Sequence, residues 1–91
     1  MSDVDKILAE RGERYGEFAG HAKISQALKS VIFDAVSRDA LDDDMIESLE
    51  MIAHKIARIC NGDPRWADSW SDVAGYATLV ARRLSETDAT D

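Results

Sequence analysis

One proline in the whole chain, Pro64, stands in the segment Asn61-Gly-Asp-Pro64 and divides two long stretches whose apolar residues recur at steps of three and four. Proline cannot continue a helix because it lacks an N–H and its ring clashes with the preceding turn, and a glycine just before it is suited to a left-handed helix cap. The stretch before the break carries Ile46, Leu49, Ile52 or Ala53, Ile56, and Ile59 or Cys60. The stretch after it carries Trp70, Val73, Ala77, Val80 and Leu84. Each set falls on one face of a helix. No window alternates with the period of two that a half-buried strand requires. The sequence therefore predicts an all-α chain, with two helices joined by a turn too short for anything but an antiparallel arrangement.

The rest of the chain reads the same way. A first helix is predicted from Ser2, with Asp5 three residues on in a capping-box arrangement, to Tyr15-Gly16. A second is predicted over about 20–38, on a stripe of Ile24, Ala27, Leu28, Val31, Ile32 and Ala35. The third starts at Asp43 or Asp44, where acidic side chains oppose the positive end of the helix dipole, and stops at Asn61-Gly62. The fourth starts between Trp66 and Asp68 and runs to about Ser85. The expected architecture is a compact antiparallel bundle of three long helices plus a short N-terminal one. It forms one domain over 1–86, with 87–91 as a frayed tail.

Composition narrows the function. The 91 residues hold 18 acidic and 11 basic side chains, for a net charge of −7. Such a surface is unsuited to duplex nucleic acid, whose binding draws on Lys and Arg displacing counterions from phosphates. It leaves room for a small anion held by a local basic cluster. There is no signal-like segment and no apolar run of the roughly 18 residues that a spanning helix needs, so a cytoplasmic protein without membrane attachment is expected. The single cysteine, Cys60, cannot form an internal disulfide, which fits a reducing compartment, and its apolar neighbours predict a buried, inert thiol.

Polar residues gather at helical spacing around the turn. Glu47 and Glu50, three apart, share a face and can either hold a divalent cation through oxygen ligands or join a solvated ion-pair strip with His54 and Arg58. Asp68 and Asp72, four apart, repel each other unless Asp68 caps the fourth helix or both meet cations from the third, for which Lys55 and Arg58 are placed. Gly75, inside a helix, suggests a close approach by another backbone or a ligand, and Tyr76 lies one turn beyond Asp72. Trp66 and Trp70 can pack in the core or stack on a base. Arg11 and Arg14 stand beside the Tyr15-Gly16 turn, and a planar guanidinium suits phosphate. His21 and His54 have no second ligand at metal spacing in the sequence.

Three blocks in order carry a resemblance: Ile7-Leu-Ala-Glu-Arg-Gly-Glu-Arg-Tyr15-Gly16-Glu-Phe18, Glu50-Met-Ile-Ala-His-Lys55-Ile-Ala-Arg58-Ile, and Asp68-Ser-Trp70-Ser-Asp72-Val-Ala-Gly75-Tyr76-Ala. Together they span most of the chain. They resemble short phage- and prophage-encoded helical proteins of unassigned function, and are similar to a helical domain found beside phage genes for nucleotide modification. A more distant similarity is to MazG-type all-helical nucleoside triphosphate pyrophosphohydrolases, which hold magnesium with a Glu-x-x-Glu pair on one helix and a Glu-x-x-Asp pair on the next. Glu47 and Glu50 match the first pair; Asp68 and Asp72 are spaced by four rather than three.

The leading expectation is a phage-encoded accessory protein, in the cytoplasm of the bacterial host, that binds a nucleotide-like or other phosphate-bearing ligand. In it Arg14, Tyr15, Lys55, Arg58, Trp66, Trp70, Asp72 and Tyr76 form the site. Arg14, Lys55 and Arg58 contact phosphate, Asp72 and Tyr76 orient those cations, and Trp66 or Trp70 stacks on the base. The enzymatic alternative is a Mg²⁺-dependent pyrophosphohydrolase with Glu47, Glu50, Asp68 and Asp72 as metal ligands. The third is a small acidic inhibitor of a host defence protein. A homo-oligomer is expected in each case, since a chain this short has a limited core and Phe33, Leu41, Met51 and Leu79 remain once one inward stripe per helix is assigned.

Overall fold

Four stretches with helical periodicity become four α-helices in the computed structural model, which describes residues 2–90, with 87–90 described by backbone alone. They are α1 (Asp3–Tyr15), α2 (Phe18–Ala35), α3 (Asp43–Asn61) and α4 (Ala67–Thr90), with a 3₁₀ turn at Arg38–Ala40 and no strand among the described residues. The fold is an all-helical bundle. Lys55 meets Asp72, Ser48 meets Tyr76 and Asp44 meets Arg83, so residue numbers rise on α4 as they fall on α3 and the two helices are antiparallel, as predicted. Glu17 and His21 at the start of α2 meet Asn61 and His54, and Arg38 just beyond its end meets Glu50, so α2 is also antiparallel to α3. Thus α3 is the centre of the fold, with α2 and α4 on its two flanks and α1 folded over one end. Among the described residues no helix is long and apolar enough to cross a membrane.

Small side chains make these contacts. Among the described residues Ala53 and Ala57 on α3 are the buried apolar ones, and His21, Ser25, Ser48 and Ser69 are the buried polar ones. Short side chains let helix backbones approach, and Ser48 Oγ donates to the Tyr76 carbonyl at 3.3 Å across the α3–α4 seam. Among the described residues no large side chain is fully buried.

The helix ends follow local chemistry. Ser2 caps α1, its Oγ accepting from the Asp5 N–H at 3.2 Å. At the other end Gly16 has φ of +77°, the left-handed value that glycine tolerates. The start of α3 is clamped by Arg83, whose Nε and Nη2 donate to Asp44 at 2.8 and 2.6 Å and whose Nη2 also donates to Asp42 at 2.8 Å. This fork holds the Asp44 carboxyl below the usual carboxylate range.

Several expectations need correction. Helix α2 stops at Ala35 rather than Arg38, because Val36 is extended and Ser37 opens the 3₁₀ turn by accepting from the Asp39 N–H. Helix α4 continues past Ser85 to Thr90. Gly62 has φ of −131°, so it is not a left-handed cap. Its lack of a side chain serves packing instead: a Cβ there would run into the Arg14 carbonyl and the Tyr15 backbone. Gly75, by contrast, has nothing within 4 Å of its would-be Cβ. Cys60 is exposed, in the last turn of α3. Ala27, Val31 and Ala35 are exposed on α2; the buried His21 and Ser25 share a face with the half-buried Leu28 and Ile32 of the predicted stripe.

Candidate functional site

The Tyr15-Gly16 turn and the Asn61-Gly62 turn lock together, and the site follows from that lock. Asn61 Nδ2 donates to the carbonyls of Tyr15 and Glu17 at 2.9 and 2.8 Å, and the Asp63 N–H donates to the Arg14 carbonyl at 2.6 Å. Both glycines are needed, since a Cβ at Gly16 would strike the Asn61 backbone. The end of α1 is thereby pinned against the end of α3 and the start of α4, where arginines and aromatic rings meet.

Two guanidinium groups lie over rings there: Arg14 over Trp66, 3.7 Å from the ring centroid, and Arg58 over Tyr15 at 4.1 Å. Stacking fixes the plane of each guanidinium and leaves its edge N–H groups free to donate. Two adjoining cavities share Arg11, Tyr15 and Arg58 in their walls. One, of about 430 Å³, adds Leu8, Glu17, Phe18, His21 and His54. The other, of about 440 Å³, adds Glu10, Arg14, Trp66 and Asp68. Among the described residues no carboxylate comes within ion-pair distance of Arg11, Arg14 or Arg58. Glu10, Glu17 and Asp68 line the same cavities, but none of them is paired with these three guanidinium groups.

His21 and His54 form a pair under the same junction. His21 Nε2 and His54 Nδ1 are 3.3 Å apart, and the rings meet edge to face. Burial is the largest cause of a lowered pKa in both; His54 falls to about 4, pushed further by His21, Arg58, Lys55 and Lys29, and His21 is lowered further by Arg58, Lys29 and Lys55. Both rings are therefore neutral near pH 7. One ring donates to the other, and in either tautomer His21 Nδ1 is a buried polar atom without a partner. Trp66 Nε1 is buried without a partner as well. Buried polar atoms are normally hydrogen-bonded, so two unsatisfied ones in the walls of adjoining cavities are notable.

The expected site residues divide into two groups. Arg14, Tyr15, Arg58 and Trp66 are brought together. Lys55 instead donates to Asp72 at 3.0 Å on the α3–α4 seam, and Tyr76 lies beyond them with Asp72 in a separate shallow cleft. Trp70 is exposed, its Nε1 held by the Pro64 carbonyl at 2.8 Å. Of the four expected metal ligands, Glu47 and Glu50 stay three apart on α3 with Glu50 paired to Arg38 at 3.3 Å, Asp72 pairs with Lys55, and Asp68 lies in the first turn of α4. Among the described residues no three His, Cys, Asp or Glu side chains form a group able to hold a metal ion.

Residues 2–84 match the family described as a domain of unknown function, DUF6378. The chain belongs to that family. No match was found among curated proteins or among solved structures. In this DUF6378 chain the features that sequence spacing missed are the histidine pair and the two locked turns. The registers of α1 and α2 on α3, which create both, leave no mark in local spacing.

Proposed function

We propose that this protein binds a phosphate-bearing small molecule, of the nucleotide class, at the junction of α1, α3 and α4. The observation that carries this reading is the trio Arg11, Arg14 and Arg58, without carboxylate partners and with two guanidinium planes set by aromatic rings. Arginine forks match phosphate oxygens in pairs, and prior orientation lowers the entropy lost on binding. Arg11 takes the phosphate role expected of Lys55, which Asp72 occupies. Leu8 and Phe18 in the adjoining cavity offer apolar surface to a base or sugar. The pairing of Glu50 with Arg38 and of Asp72 with Lys55, with no three-carboxylate group among the described residues, favours binding over magnesium-dependent hydrolysis within one chain. The proposed setting is that of a phage-encoded accessory protein in the cytoplasm of a bacterial host.

Thermal denaturation with pyrophosphate and a panel of nucleoside mono-, di- and triphosphates, with and without Mg²⁺, tests the proposal. At least one of them raises the melting temperature, and Arg58→Gln abolishes that rise. A panel without any shift at millimolar ligand, or a shift unchanged in Arg58→Gln, overturns it.

A further inference from the structure

The chain exposes 6472 Å². A folded monomer of 10.1 kDa is expected to expose about 5,300 Å², so about 1,200 Å² is left uncovered per chain. A specific interface removes about 800 Å² from each partner, and obligate homodimers remove more. The excess is therefore of the size that one partner of similar dimensions would cover.

The helix registers give one side that is apolar across three helices, apart from the exposed Leu8 and Phe18, which lie at the arginine junction. On α3, Ser48 and Lys55 face α4, while His54 faces α2. At about 100° per residue, Leu49 and Ile56 then project from one side of the three-helix layer, and Glu47 and Arg58 from the other. The same construction on the flanking helices puts Ile24 and Val31 of α2, and Val73 and Val80 of α4, on the side of Leu49. Each of these six side chains keeps partial or full exposure, and Val31 is 68% exposed. The helical positions between them on that side hold alanines and other apolar residues but no charge. Arg58, and the arginine junction with it, lies on the opposite side.

We infer that this charge-free side is the interface for a second copy of the chain, two three-helix layers closing face to face into one core. A second copy fits because the uncovered area matches what a homodimer removes. The patch is also apolar across all three helices, as the inside of an obligate interface is. A two-fold axis sets each α3 stripe against its counterpart. The two arginine junctions then lie on the outer surfaces of the dimer, so the inference is independent of the proposed ligand.

Sedimentation equilibrium at 10–100 µM, a range of about tenfold chosen to bracket micromolar association, reads the assembly directly. The wild-type chain sediments at twice its 10.1 kDa mass. Val31→Lys and Ala77→Lys, both at positions exposed in the single chain, shift it to the monomer mass with helical circular dichroism retained. Leu79→Lys, equally exposed but on the side of Arg58, leaves the dimer intact. A wild-type monomer, an assembly that survives both Val31→Lys and Ala77→Lys, or one lost with Leu79→Lys overturns the inference.

Discussion

Neutralising Asp72 is expected to harm folding far more than neutralising Asp68, although both are aspartates near the start of the same helix. Lys55 Nζ lies 3.0 Å from Asp72 Oδ2; the lysine side chain is only 12% exposed, while the aspartate is 46% exposed. Exposed ion pairs contribute about 0.2–1 kcal/mol, whereas breaking a fully buried pair costs about 3–5 kcal/mol, because the remaining charge stays out of water. Here the group left behind by Asp72→Asn is the buried one, but its partner was half solvated. The expected loss is therefore intermediate, about 1–2 kcal/mol. The reverse change, Lys55→Met, leaves a carboxylate that water already reaches and removes the buried charge, so it costs less, about 0.5 kcal/mol or below. Among the described residues Asp68 has no ion pair, and it acts on the dipole of α4 from its first turn, so Asp68→Asn costs about 0.3–0.5 kcal/mol. Urea denaturation of the three variants gives all three numbers. Equal losses in Asp72→Asn and Asp68→Asn, or a greater loss in Lys55→Met than in Asp72→Asn, would refute the reasoning.

Gly75→Ala is expected to raise stability by about 0.5–1 kcal/mol, since alanine is the better helix former and its Cβ meets nothing; a loss in urea denaturation would show that the position needs glycine. Gly62→Ala is expected to cost about 2–3 kcal/mol by overpacking the Arg14–Tyr15 backbone, and Asn61→Ala about 1–2 kcal/mol through two lost hydrogen bonds, both measured by the same denaturation. The histidine pair sets an acid limit. Each ring is neutral in the fold and has its pKa lowered from the usual 6.5, so the unfolded chain takes up protons first. Their contribution to stability is complete above about pH 6.5 and falls as the pH drops toward 4. The melting temperature should decline over that window, and His21→Gln/His54→Gln should flatten the decline relative to wild type.

Local spacing carried the elements of the fold, and it carried less of the site. Ser2, Gly16 and Asp43 mark helix ends by local chemistry, and α1 and α3 begin or end there, while Pro64 lies in the turn between α3 and α4. The three apolar stripes were legible as stripes, but spacing does not say what covers a stripe. The most buried positions of α2 and α3 are His21, Ser25, Ser48, Ala53 and Ala57, residues that look unremarkable in a sequence. Small residues let the backbones close up and turn the larger apolar side chains, Val31 among them, to the open side. Arg14, Tyr15, Arg58 and Trp66 were recognisable as candidates by type, and the lock between two glycine turns brings them together. The meeting of His21 with His54, and that of Gly62 with Tyr15, depend on how distant segments align, which no local pattern encodes. Lys55 shows the converse: its charge suggested phosphate, and its neighbour on α4 gave it a partner.

The most direct test of the arginine junction is a titration of the ¹⁵N-labelled chain with pyrophosphate, followed by NMR of the arginine Nε–H and tryptophan indole signals. Trp66 Nε1 has no partner and Trp70 Nε1 is already bonded to the Pro64 carbonyl, so the two indoles serve as reporter and control. The expected result is saturable movement of the Arg11, Arg14, Arg58 and Trp66 signals, with those of Trp70, Arg38 and Arg83 unmoved. No movement at millimolar pyrophosphate, or movement centred on Arg38 or Arg83, would contradict a phosphate site at this junction.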